Sequence, residues 1–375
     1  MNPYPRSLTG WLCALTLVVL PHVLPGGYAE ALAQTGPGKS EVPPAAAGVG
    51  SADAALALKS METLVAGGGL TPAERLKMIE AIVSTHYKNQ NFTKASEWGA
   101  RYVKDGGTDP QTRALATRAL YQMDEFAGAA SILRADIEAD EGAGRAPAQE
   151  RVQMLASCYV KLNDNAGYMY ALEKMLLYYP KRDYWADAIR RAETTPGFSE
   201  RLTLDLARLM QATGNLTTAA QYTVMVQLAL KAGLPAEAKK VADEGFASGV
   251  LGSGADASQH RKLQETATKQ VTEDDRTLAQ SIRDAGSAKD GTALVNVGFT
   301  LVSAGQFDKG IAMMEQGLQK GGLGRPDDVR LHLGIAYLRA GQKAKAVEMF
   351  KSVQGADGTA ALARLWAIHA QRPAG

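Results

Sequence analysis

The sequence predicts an all-α protein, an array of about 18 helices in antiparallel pairs, and three observations carry that expectation. Alanine and leucine are plentiful, while β-branched runs with period two are scarce. The phrase "VNVGFTLVSAGQFDKGIAMM" (Val295 to Met314) is followed by a near copy, "LHLGIAYLRAGQKAKAVEMF" (Leu331 to Phe350). Weaker copies of the same pattern extend back to about Leu76 and forward to Gly358, so the array occupies most of the chain.

Bulk properties agree with a folded protein. Of 375 residues, 46% are hydrophobic and 21% charged, and the formal charge of +2 comes from mixed acids and bases. No basic tract offers itself to nucleic acid or anionic lipid.

The first residues have the composition of an export signal. Arg6 precedes a ten-residue apolar core, Trp11 to Leu20, and Ala31-Leu32-Ala33 gives the small-x-small pattern that signal peptidase needs. Pro21 and His22 stop the apolar run far short of the roughly 20 residues that span a bilayer. Cys13 follows bulky Leu12 at the start of that core, the wrong context for lipidation. Cleavage near Ala33 and a periplasmic location are the expectation, with residues 1–33 as signal. Cys158 is then the one remaining thiol, which precludes an internal disulfide. It sits in the apolar stretch "MLASCYVKL", where a buried structural role is expected. Residues 34–51, rich in Gly, Pro and Ala, form a flexible leader.

Paired helices fill 52–375. In the two clearest copies, Gly298 and Gly334 begin the motif. Gly305 and Gly341 lie seven residues on, and Gly310 and Ala346 five beyond those. Small residues on facing helices allow close approach, and the middle glycine ends the first helix in a left-handed turn. Tyr337 and Phe350 fill the space between units. Val83, Phe92 and Ala95 occupy the same frame upstream, and Thr117, Phe126 and Ala129 follow one 34-residue period later. Further copies carry Ala156, Tyr159 and Pro180, then Ala207, Gly214 and Ala219, then Gly233 and Ala238. Tyr168 replaces the small residue in the third copy. Irregular segments fall near 181–202 and 256–286, the second expected as a helix pair. The last helix, "TAALARLWAIHAQ", presents Leu362, Leu365, Trp366 and His369 as the packing face of a cap.

These residues resemble the tetratricopeptide repeat, a 34-residue helix-turn-helix unit. The resemblance implies a right-handed superhelical α-solenoid in which each unit contacts its neighbours, with a concave groove lined by the first helix of each pair. The run "KRDYWADAIRR" through "KAGLPAEAKKVADEGF" and "GVLGSG" is similar to periplasmic repeat proteins that accompany TonB, ExbB and ExbD-type energy-transduction systems. Carried onto this chain, the repeat frame marks Tyr87, Lys88, Arg118, Tyr121, Lys161, Arg208 and Gln211 as exposed partner-binding positions. Their cationic and aromatic character suits an acidic or extended peptide. The groove positions Ser84, Arg118, Ser157, Arg208, Phe299 and Ile335 include no asparagine. That departs from members that grip a terminal carboxylate with lysine and asparagine.

No catalytic pattern stands out. The chain lacks a nucleophile elbow, a His-Glu-x-x-His pair and a phosphate loop of the Gly-Lys-Ser/Thr type. "GVLGSGAD" follows a helix and reads as a helix stop before an N-cap at Asp256. His86, His260, His332 and His369 have no histidine or cysteine at ligand spacing, so no metal or other cofactor is expected. "EADEGAGR" reads as a solvated helix end. The patch "YYPKRDYWADAIRRAE" is either an interface or an inter-repeat core in which Tyr178, Trp185 and Ile189 pack inward. The expected function is a non-enzymatic periplasmic scaffold for a protein or peptide partner. An envelope enzyme or glycan-binding subunit is the alternative, and it would be favoured by a cavity of convergent carboxylates.

Overall fold

A computed structural model describes residues 51–372. The signal segment, its cleavage site, Cys13 and nearly all of the leader lie outside the described residues. Among those described there are 17 α-helices, one short 3-10 turn and no strand. The all-α expectation holds, with consecutive helices packed against one another. No described helix is long and apolar enough to cross a membrane. The chain divides into two compact units, 51–168 and 169–372, where the sequence alone suggests one continuous array.

In the first unit, α1 (Ser51–Gly67), α2 (Pro72–Lys88), α3 (Phe92–Lys104), α4 (Pro110–Gln122), α5 (Phe126–Gly142) and α6 (Gln149–Lys161) succeed one another. α7 (Asn165–Tyr178) begins within it. Local chemistry sets the starts. Thr71 and Glu74 form a reciprocal capping box at α2, with Pro72 at the first helical position. Asn91 and Asp109 cap α3 and α4 by accepting backbone N–H bonds. Val65, Ile79, Ile82, Val83 and Tyr102 make the core at this end.

The second unit continues with α8 (Arg182–Thr194), a 3-10 turn (Glu200–Leu202), α9 (Thr203–Ala212), α10 (Ala219–Lys231), α11 (Pro235–Ala247), α12 (Ala257–Ser287), α13 (Thr292–Ser303), α14 (Phe307–Lys320), α15 (Pro326–Arg339), α16 (Lys343–Lys351) and α17 (Thr359–Gln371). The irregular segment near 256–286 is a single long helix, not the expected pair. It contains neither glycine nor proline between Ala257 and Ala285, so nothing interrupts it. Asp256 precedes α12 but makes no side-chain cap bond.

One turn recurs nine times among the described residues. Gln90, Gly106, Asp124, Gly144, Asn163, Gly214, Gly233, Gly305 and Gly341 each stand two residues past a helix end, with φ between 55° and 86°. In each case the next residue donates its N–H to a carbonyl five residues back, as Gln306 does to Leu301 at 2.9 Å and Asn91 to His86 at 2.9 Å. This is the six-to-one closure of a left-handed helix stop. Six of the nine use glycine there, where a side chain is strained; Gln90, Asp124 and Asn163 adopt the turn with a side chain in place.

The close approach predicted for Gly298 and Gly310 is present, since a Cβ on Gly298 would lie 2.7 Å from the Gly310 carbonyl oxygen. Gly334 serves a different end: a Cβ there would strike the Phe350 ring rather than the Ala346 backbone. Likewise Gly167, not Tyr168, is the small residue facing Tyr159.

The second unit also departs from a stack in which only neighbours touch, because it closes on itself. α17 packs against α8 and α9 as well as α15 and α16. The Ser199 N–H donates to the Asp357 carbonyl at 2.9 Å, and Arg201 bonds Asp328 at 2.8 Å and Asp357 at 2.6 Å. Arg364 pairs with Glu173 at 2.9 Å. The final helix is therefore a closing element as well as a cap, with Leu362, Leu365 and Trp366 buried as its spacing implies.

Candidate functional site

The repeat frame places Tyr87, Lys88 and Arg118 together. They line a cavity of about 690 Å³ in the first unit with Ser84, between α2 and α4. The C-terminal turn of α2 supplies Tyr87 and Lys88, and the middle of α4 supplies Arg118. Tyr87 is steadied by the edge of Phe92, 5.5 Å between centroids. Arg118 stands 3.5 Å from the mostly exposed Glu150, a loose pair that solvent weakens. Lys88 is exposed and has no partner among the described residues. The acids of the wall are already engaged. Glu80 pairs with Lys77 at 2.8 Å and accepts from the Tyr102 hydroxyl at 2.9 Å. Asp109 accepts from the Thr112 backbone N–H at 2.7 Å, the main reason its carboxyl is held below its ordinary value. The free electrostatic character at this cavity is cationic.

Tyr121 and Lys161 do not line it. The Tyr121 hydroxyl is committed to Ser157 Oγ at 2.7 Å and its ring to Phe126, while Lys161 is exposed at the end of α6.

Arg208 is not exposed, contrary to the sequence expectation. Only 2% of it is accessible, and it anchors a buried ionic network in the second unit. Nη1 donates to Asp205 at 2.6 Å, Nε to both Glu237 oxygens at 3.1 Å, and Nη2 to Glu237 at 2.5 Å. Arg339 completes the cluster on Glu237, and His332 Nε2 lies 3.0 Å from Asp205 Oδ1. The guanidinium rests on the Phe299 ring at 4.9 Å, and His332 stacks on that ring at 4.7 Å. Two guanidiniums and two carboxylates leave the cluster neutral. Burial opposes ionisation of Glu237, but Arg208 and Arg339 outweigh it and hold the carboxyl down to about 2. Burial likewise opposes ionisation of Asp205. His332 and Arg208 prevail and hold it well below the carboxylate range. Such a guanidinium is committed to the fold, and the physical reason is the cost of leaving two buried carboxylates unpaired.

Above this network lies a second cavity of about 810 Å³, entirely within the second unit. Gln211 lines it, but donates to Glu244 at 2.6 Å. Asp243 is held by Lys239 and by Gln264. The network itself was missed by sequence reasoning. The available signal was "LTLDLARLM", where Asp205 and Arg208 stand three apart among leucines and demand a buried partner.

The aromatic–cationic patch resolves toward packing: Trp185 and Ile189 are buried, Lys181 covers Tyr184 at 5.6 Å, and Arg190 pairs with Asp187. His86 bonds Glu62 at 2.8 Å, and His260 Nδ1 accepts from the Gly252 N–H at 3.3 Å. The described residues contain no cluster of three or more metal-ligating side chains.

The fold defines the class: an all-α protein of consecutively packed helices, helical-repeat-like, with a cationic cavity in the first unit and a mixed polar and apolar cavity in the second. No protein-family model matches the chain, and no curated protein matches it.

Proposed function

We propose that the protein is a non-catalytic scaffold of the tetratricopeptide type that acts in the bacterial periplasm. It holds an acidic, extended segment of a protein partner on the first unit. The observation that supports this most is the cavity at Tyr87, Lys88 and Arg118, where the acids are engaged and Lys88 is free. Arginine and lysine supply charge-assisted bonds to carboxylates, and tyrosine adds rigid contact area. The carboxylates that line both cavities are each bonded to a neighbour, which weighs against a convergent pair for hydrolysis or glycan transfer. The "KRDYWADAIRR" run and the segment 1–33 extend the reading to an exported accessory of a TonB-type envelope energy-transduction system.

Lys88→Ala combined with Arg118→Ala tests it. Both side chains are accessible, so circular dichroism and melting stay near wild type. Each truncated contact costs about 1–2 kcal/mol of binding, and the partner captured by crosslinking in native envelope is lost. Undiminished capture by the double variant rejects the site. N-terminal sequencing from the native host tests the location, with Gln34 expected as the first residue.

A further inference from the structure

The first helix of the first unit, α1, is held firmly on one side and bare on the other. On its inner side Val65 is fully buried, and the Val65 carbonyl accepts from Arg75 at 2.7 Å. Glu62 accepts from the Trp98 indole N–H at 3.1 Å and meets His86 at 2.8 Å. The outer side carries Leu56, 66% exposed, and Leu64, 53% exposed, the two most exposed large hydrophobic side chains among the described residues. Ala57, Ser60 and Thr63 lie between them and are also exposed. At about 100° per residue these five fall within about 120° of the helix circumference, so they form one stripe. The terminal unit of a helical array needs a polar outer face to stay alone in water. This outer face is apolar.

The polar atoms of the stripe are answered within α1 itself. The Ser60 hydroxyl donates to the Leu56 carbonyl at 2.9 Å, and the Thr63 hydroxyl to the Lys59 carbonyl at 2.8 Å. Both residues then present mainly carbon to a neighbour. Lys59 is the single exposed charge among the described side chains of α1, and it stands beside the stripe. A membrane surface would call for several cations flanking the apolar face, so it fits poorly. The stripe is also symmetric. Leu56 and Leu64 stand four residues either side of Ser60, and Ala57 and Thr63 three either side. An antiparallel copy with its two-fold axis at Ser60 brings each leucine over a smaller residue, Leu64 over Ala57 and Leu56 over Thr63. Such self-complementarity is what an isologous contact requires. The peptide cavity is not in the way. Arg75 and His86 mark the face of α2 that meets α1, and Lys77, Ser84 and Lys88 of the cavity wall stand on the opposite face.

We propose that α1 is a self-association surface: two copies of the protein pair antiparallel through its outer face, with Ser60 on the two-fold axis. Contact between two 17-residue helices stays below the roughly 1,200 Å² of a standard interface, so the dimer is weak and exchanges with monomer. Each copy keeps its peptide cavity open.

Sedimentation equilibrium of the whole protein between about 5 and about 500 µM tests the assignment, with a reversible monomer–dimer equilibrium expected. Leu56→Asp with Leu64→Asp keeps the helical circular dichroism, because both side chains are exposed, and weakens the dimer at least tenfold. In a Cys13→Ser background, Ser60→Cys forms a disulfide-linked dimer on air oxidation. The axis holds the two side chains within disulfide reach, and Cys158 is buried. Ala55→Cys, exposed on the same helix but off the stripe, does not crosslink. Lys88→Ala with Arg118→Ala leaves dimerisation unchanged, separating this surface from the peptide cavity. A monomer at every concentration, a dimer undisturbed by the double leucine substitution, or crosslinking of Ala55→Cys as fast as that of Ser60→Cys overturns the proposal. Binding of the monomer to phosphatidylglycerol vesicles in place of dimerisation also overturns it, and assigns the face to a membrane.

Discussion

Replacing Arg208 by alanine removes the cation between two buried carboxylates. Asp205 is then left with His332, and Glu237 with Arg339. Breaking a buried pair from one side costs about 3–5 kcal/mol, because the abandoned charge stays in a poor solvent. For a unit of this size each kcal/mol lowers the melting temperature by about 2–4 °C, so a fall of about 6–20 °C is expected at pH 7. The acid dependence gives a second reading. Asp205 and Glu237 titrate below their ordinary values in the folded protein. Their stabilisation is therefore present above the unfolded carboxylate range, and it is lost as pH falls from about 4.5 toward 2. Without Arg208 the folded values rise, so acid unfolding of the variant begins at higher pH than in wild type. Thermal melts followed by circular dichroism from pH 2 to 7 measure both effects, with exposed Lys161→Ala as a control expected within about 0.5 kcal/mol of wild type. If Arg208→Ala melts within about 2 °C of wild type at pH 7, the network does not hold the second unit together.

Gly298→Ala should destabilise by about 1–3 kcal/mol, as chemical denaturation will show. The new methyl group meets the Gly310 backbone on the facing helix, which has no side-chain freedom with which to yield. Gln90→Gly, at a left-handed turn, should raise stability by about 0.5–1 kcal/mol in the same assay. Burial, aided by Arg372 and Lys343, brings His369 down to about 4, so its imidazole stays neutral at pH 5.5 by NMR. Because the unfolded imidazole titrates near 6.5, this residue removes stability as pH falls from about 6.5 to 4. Burial pushes the Cys158 thiol up to about 12, and site-mapped alkylation should leave it unmodified at pH 8 until the protein unfolds.

Much of the candidate peptide site was legible because it depends on local register. Once the helix-turn-helix frame is set by Phe92, Ala95, Phe126 and Ala129, the positions of Tyr87, Lys88 and Arg118 on the facing helices follow from 3.6-residue periodicity. Arg208 occupies the equivalent register but a different environment. Its exposure depends on what packs across it, and Glu237, Phe299, His332 and Arg339 come from helices 29 to 131 residues away in sequence (237 − 208 and 339 − 208). Periodicity says which side of a helix a residue occupies, not whether another helix covers that side.

Composition, the paired glycines and the spacing of small and aromatic residues were enough to determine an all-α array of short antiparallel helices, since these are nearest-neighbour properties of the chain. The tertiary structure decided the rest. It showed that Gln90, Asp124 and Asn163 make the same left-handed turn as the six glycines, because backbone closure tolerates several residue types there. It also showed that the second unit closes through α17 onto α8 and α9. That closure rests on pairs such as Arg201 with Asp357 and His332 with Asp205. Contacts so distant along the chain reflect the summed small rotations between successive helices, a quantity that no single segment encodes.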